Sequence, residues 1–302
     1  MDIRSAIMGL AFAFMWSSAF SSARVIVLYA PPMTSLSLRF LVSGLIAIAL
    51  ALAMGQNMRL NRAQWTSTIV FGICQNALYL GLFFIAMQWI EAGLAAIIAS
   101  AMPLIVAFLS WVFLKEKIPP IGIIGLIAGF VGVAIILSAR LSGGADPFGL
   151  FLCLIGVTAL AIATLVVRGA SSGGNVLMIV GLQMLVGSAA LFIPAMALET
   201  WHVELNWPLV LAFFYTTLVP GLAATWVWFL LVGRIGGTRA ATYHFLNPFF
   251  GVIVAAVVLN ESLSLRDFIG VAIITAGILA VQLSRRSAGK PAPATRSKVT
   301  DS

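Results

Sequence analysis

Ten long apolar runs follow one another along the chain, over roughly 5–23, 34–54, 66–88, 93–114, 119–138, 147–167, 175–198, 207–232, 238–259 and 264–283. Each is close to the ~20 residues that a helix needs to cross the hydrocarbon core of a bilayer. Turn and breaker residues separate the runs: Pro31-Pro32, Gly55-Gln56-Asn57, Pro119-Pro120, Gly143-Gly144, Ser171 to Asn175, Asn206 to Pro208 and Gly236-Gly237. No link has room for a soluble domain. The pattern predicts an all-α integral membrane protein of ten transmembrane helices. From Arg285 onward the chain becomes basic and rich in Pro, Ala and Ser, as a disordered tail over 285–302 would be.

The pattern is written twice. Pro103, Leu114, Glu116, Gly125, Gly132 and Arg140 return 145 positions later as Pro248, Leu259, Glu261, Gly270, Gly277 and Arg285. Two five-helix halves follow, 1–140 and 141–284. Five is odd, so equivalent helices should cross the bilayer in opposite directions, with Glu116 facing one side and Glu261 the other. That is an inverted repeat about a two-fold axis in the membrane plane, an arrangement of secondary transporters. Thirteen residues separate Pro103 from Glu116, about 20 Å at 1.5 Å per residue, which puts the proline near mid-membrane. A mid-helix proline removes a backbone hydrogen bond and kinks the helix, so Pro103 and Pro248 are expected as hinges. The two glutamates, at helix ends, are expected as caps or surface charges.

Composition agrees with the pattern: of 302 residues, 62% are hydrophobic and only 9% charged, and the mean hydropathy is +1.10. A water-exposed surface cannot be built from so few charges. The net charge of +8 does not indicate nucleic acid, because the basic residues lie at span ends and in the tail, where they serve orientation and anionic lipid. With the N-terminus inside, Arg4, Arg59, Arg62, Lys115, Lys117, Arg168, Arg234, Arg239, Arg285, Arg286, Lys290, Arg296 and Lys298 are cytoplasmic, whereas Arg24, Arg140 and Arg266 are outside. Both termini are thus expected in the cytoplasm. The first 23 residues have the look of a cleavable signal, but nine further spans and the deep Trp16 favour a retained first helix. Cys74 and Cys153, both in apolar runs, read as small buried hydrophobes.

Polar groups inside apolar spans are costly and tend to face the protein interior. Span three carries Gln75, Asn76 and Tyr79, and span nine Tyr243, His244 and Asn247. Trp16 stands beside Ser17 and Ser18 in span one, Ser100 is in span four, and Tyr215, Thr225 and Trp226 are in span eight. A shared substrate-binding lining is one reading; hydrogen bonds between helices are the other. For His244, a hydrogen-bonded core position, substrate contact and proton coupling all stay open. No Asp or Glu lies in the middle of a span, where an ion-coupled antiporter usually carries its relay, and one His in a span without such a partner cannot make a catalytic triad or a zinc site. The expectation is a non-enzyme without metal or cofactor, moving a net-neutral solute down the solute's own gradient; the alternatives are proton-coupled export of another metabolite or drug, a channel, or an intramembrane enzyme. Arg39 is expected to snorkel to the outer interface, the alternative being contact with an anionic group. Gly122, Gly125, Gly129 and Gly132, with Gly270 and Gly277, should let helices five and ten approach closely, as scaffold or as a dimer contact. The chain is thus expected as a monomer or homodimer.

Between Ala77 and Leu137, Tyr79, Gly81, Ala95-Ala96, Pro103, the LKEK run at 114–117, Gly125 and Gly132 resemble the EamA repeat of the drug/metabolite transporter superfamily. Pro248, the LNES run at 259–262, Gly270 and Gly277 resemble its second copy. The resemblance covers nearly the whole chain, which is most similar to the YddG-type bacterial exporters of aromatic and other neutral amino acids. It implies alternating access through a central cavity formed by helices of both halves, with helices five and ten away from the pathway. It also implies a bacterial inner-membrane location, with a small-molecule substrate and membrane lipid as partners.

Overall fold

Local signals start the helices where the apolar runs begin. In the computed structural model, which describes residues 2–166 and 174–288, Asp2 caps the first helix through the Arg4 amide. Pro32 and Pro120 each open a helix at its first turn, where a missing N–H costs nothing. Asn61 and Gln64 form a reciprocal capping box, and Asn206 caps the helix that begins at Trp207. Among the described residues, ten helices are long and apolar enough to cross a membrane: α1 Ile3–Tyr29, α2 Pro32–Ala53, α3 Arg62–Ala86, α4 Ala92–Phe113, α5 Pro120–Ser142, α6 Pro147–Val166, α7 Val176–Leu198, α8 Trp207–Ile235, α9 Thr242–Leu259 and α10 Leu265–Ala288. No strand occurs among the described residues.

Several boundaries differ from the hydropathy expectation. The serines at 21 and 22 do not end α1, because Ser22 Oγ donates back to the carbonyls of Ser18 and Ala19, and Arg24 spends its charge on the Met87 carbonyl. α8 continues to Ile235 before Gly236 turns the chain. α10 runs through Arg285 and Arg286 to Ala288, so the expected tail begins as helix. The rest of that tail, like Arg168, lies outside the described residues.

Four helices are irregular. α4 is broken at Ala101 into Ala92–Ser100 and Met102–Phe113, and α9 is entered through a tight 3₁₀ segment, Ala241–Leu246, that runs into Asn247–Leu259. Pro103 and Pro248 each sit in the first turn of the second piece. α3 and α8 contain wide π turns, Gly72–Leu80 and Thr217–Ala223, whose starts are again 145 positions apart.

Small residues set the packing. α5 and α10 meet backbone to backbone: a Cβ placed on Gly277 would lie 2.6 Å from the Gly125 carbonyl oxygen and 2.8 Å from the Gly129 nitrogen. α2 and α7 are joined similarly, Ser37 and Ser188 each donating a hydroxyl to the other's carbonyl at 2.9 and 2.8 Å. α1 packs on α8 and α9, α6 packs on α3 and α4, and α4 lies against α9.

One end of this bundle is tied by charges. Glu261 accepts the Ala92 and Gly93 amides at 2.7 and 2.9 Å, capping α4 from the loop that follows α9. Burial pushes the Glu261 carboxyl above the ordinary glutamate range; the two amides pull against that, Glu91 adds to it and Arg140 opposes it. Arg140 bridges Glu91 and the buried Asp267, linking the end of α5 to the starts of α4 and α10. Glu199 accepts from the Met33 and Thr34 amides at the start of α2.

Candidate solute-binding site

α1 carries large aromatic residues at Phe12, Trp16 and Phe20, one per turn and therefore on one face. Their partners come from other helices. His244, on the 3₁₀ turn of α9, meets Phe12 edge-on at 5.1 Å, Trp16 at 6.2 Å and Trp228 of α8 at 5.1 Å between ring centroids. Phe12 also lies 4.8 Å from Trp228. Further along α1, Phe20 meets Phe83, which packs on Tyr79 at 4.7 Å. The face of α1 thus joins an aromatic cage around His244 to a second aromatic group on α3.

Polar groups edge this face. Asn247 Nδ2 stands 3.0 Å from His244 Nδ1; if it donates there, the neutral imidazole carries its proton on Nε2. Asn247 Oδ1 is buried without a partner, and Ser17 Oγ donates to the Asn247 carbonyl at 3.2 Å. Ser18 Oγ pairs with Tyr215 Oη of α8 at 2.8 Å. Such a constellation offers π faces, a ring N–H, an amide oxygen and hydroxyls, and no formal charge. Among the described residues no three His, Cys, Asp or Glu side chains gather as metal ligands would.

Trp16, Tyr215, His244 and Asn247 are therefore brought together around α1. Tyr243 adjoins them, but its ring lies over Gly9, where a Cβ would clash at 2.2 Å, so it packs α9 onto α1. Trp226 is not part of the cage. It is 44% exposed, and two residues along a helix turn a side chain by about 200°, so Trp228 takes the inward place. Asn76 turns to α7, donating to the Gln183 carbonyl at 2.9 Å. Ser100 bonds its own helix at Ala96, Tyr79 is 5% exposed within the main core, and Gln75 is half-buried with no hydrogen bond to a described residue. Hydropathy passed over Phe12, Phe20 and Trp228. The one-per-turn spacing of aromatics on α1 was the signal for the first two; nothing in the apolar α8 distinguishes Trp228 from Trp226.

Arg39 corrects another expectation. It does not snorkel to the interface: it is 6% exposed, because it points from α2 into the bundle at α8, with its cation 5.1 Å from the Phe40 ring centroid.

The sequence profile of the EamA-like transporter family matches residues 3–138 and 147–283. Relatives include the uncharacterized transporter YvbV of Bacillus subtilis, 27% identical over 94% of this chain and 93% of its own length. The uncharacterized inner membrane transporter YedA of Escherichia coli is 25% identical, covering 91% and 89%, and Protein PecM of Dickeya dadantii 23%, covering 86% and 87%. A protein of known crystal structure has the same fold, with a TM-score of 0.66 at 20% identity over 95% of this chain and 99% of that one.

Proposed function

The chain belongs to the EamA-like transporter family, and on that premise we propose that it exports small net-neutral metabolites, foremost aromatic and other neutral amino acids. The observation that carries this reading is the cage of Phe12, Trp16 and Trp228 around His244, edged by Asn247, Ser17, Ser18 and Tyr215. Aromatic faces suit an aromatic or aliphatic side chain, and uncharged donors suit a zwitterion.

The proposed cycle is alternating access between two inverted five-helix halves, 1–140 and 141–284, in a bacterial inner membrane with both termini cytoplasmic. Support comes from the packing: α1 meets α8 and α9 as α6 meets α3 and α4, while α2, α4 and α5 meet α7, α9 and α10. That is the exchange of partners a two-fold axis between the halves requires. Glu261 touches the first turn of α4, whereas its counterpart Glu116 follows the other end of that helix. The breaks before Pro103 and Pro248 give each half a flexing point in equivalent helices.

Purified protein in liposomes loaded with labelled phenylalanine tests the proposal. Saturable efflux is expected, unchanged by imposed proton or sodium gradients and severalfold slower in Trp16→Ala, since an aromatic contact of this kind contributes on the order of 1 kcal/mol. Absence of amino-acid flux would overturn the substrate reading, and acceleration by an ion gradient would overturn the uncoupled cycle.

A further inference from the structure

Arg39 lies within α2, and the structure gives its guanidinium no hydrogen bond and no ion pair among the described residues. Its Nε is buried and unpartnered. One turn along α2, the fully buried Ser43 Oγ is unpartnered too. Both face the wide turn of α8. A Cβ placed on Gly221 would lie 3.3 Å from Arg39 Nη2 and 3.6 Å from Ser43 Oγ, so cation, hydroxyl and bare backbone meet at one point. The repeat sharpens this. Gly221 is the counterpart of Asn76, whose side chain fills the equivalent place by bonding α7. In the second half that side chain is missing and Arg39 reaches into its place.

A buried cation without a counter-charge is costly, and no carboxylate in the interior of any span can supply one. A guanidinium fork presents parallel N–H donors matched to a carboxylate. We propose that Arg39, with Ser43 beside it, is the subsite that binds the carboxylate of the transported solute. The wide turn of α8 also touches α1, and Tyr215, just before it, is held by Ser18. A solute anchored at Arg39 can thus extend toward the aromatic face of α1. This deepens the exporter reading and rests on it for the word "transported": a zwitterion stays net-neutral while meeting one buried charge.

Thermal unfolding in detergent tests the subsite independently of transport. Phenylalanine and 3-phenylpropionate should raise the unfolding temperature of the wild type; phenylalaninamide and phenethylamine should not. Arg39→Gln should abolish the shift, Arg39→Lys should keep the charge but weaken it, and Ser43→Ala should reduce it. In liposomes, Arg39→Gln should raise the KM for phenylalanine by at least about tenfold, the loss expected for a charge-assisted pair, with a smaller effect on kcat. A shift retained in Arg39→Gln, or an equal shift from the amide, overturns the subsite. An equal shift from chloride or phosphate also overturns it, in favour of an inorganic-anion site. If Arg39→Gln fails to fold, the lysine and alanine variants decide: unchanged carboxylate shifts in both overturn the proposal. Carboxylate stabilisation that depends on Arg39 without phenylalanine flux would sink the exporter reading and leave the subsite standing; flux indifferent to the carboxylate would do the reverse.

Discussion

Replacing Glu261 by alanine removes the acceptor for two amides at the start of α4, those of Ala92 and Gly93, which have no partner within their own helix. Glu261 is half-buried, so water enters and replaces part of what is lost. A net value of about 1 kcal/mol per bond is then appropriate, about 2 kcal/mol for the pair. That corresponds to roughly a 30-fold change in the ratio of joined to parted arrangements at this end of the bundle. Spin labels at the exposed Gln88 and Ser262, one on each side of the contact, would report the change as growth of a long-distance population. The pH dependence has a definite sign. Burial, first among the causes, raises the Glu261 carboxyl above its ordinary value, so the proton favours the joined arrangement over one in which the side chain is in water. Acidification through that raised value should therefore hold this end together, not part it. Glu261→Gln, which keeps one acceptor, should stay nearer to wild type than Glu261→Ala. An alanine variant with the wild-type distance distribution would refute the role of the two bonds. Parting of the labels in acid would refute the electrostatic reasoning.

Two further outcomes are expected. Gly277→Ala puts a methyl group 2.6 Å from the Gly125 carbonyl oxygen and 2.8 Å from the Gly129 nitrogen; backbone cannot step aside locally, so overpacking should cost about 1–3 kcal/mol, visible as a lower unfolding temperature in detergent. Trp228→Ala should impair phenylalanine efflux severalfold by opening the His244 cage, whereas Trp226→Ala, on the exposed face of α8, should leave it unchanged; equal effects would reject the assignment of faces.

The ten spans were legible because apolar length is what a bilayer demands, and the breaks near Pro103 and Pro248 because proline chemistry is local. The close α5–α10 approach could be read from glycines at matching offsets. What escaped the sequence was azimuth. Where a helix is apolar all round, as α8 is, hydropathy does not say whether Trp226 or Trp228 turns inward. The same gap hid the direction of Asn76, committed to α7, and of Arg39, whose long stem would have reached the interface had it pointed outward. The wide turns escaped as well: Gly72–Leu80 holds no proline and reads as ordinary helix.

Those wide turns carry one residue more than a regular helix of the same length accommodates, and such surplus can be passed along a helix without unravelling it. In α8 it cannot travel freely, because Pro220 sits inside the turn and has no amide hydrogen with which to restore the regular ladder. In α3 the corresponding residue is Gln75, which has one. A proline thus bars that passage in one half, and no proline bars it in the other. Passage of the surplus through α3 would swivel Tyr79 by the angle of about one residue, some 100°, while α8 held its face still.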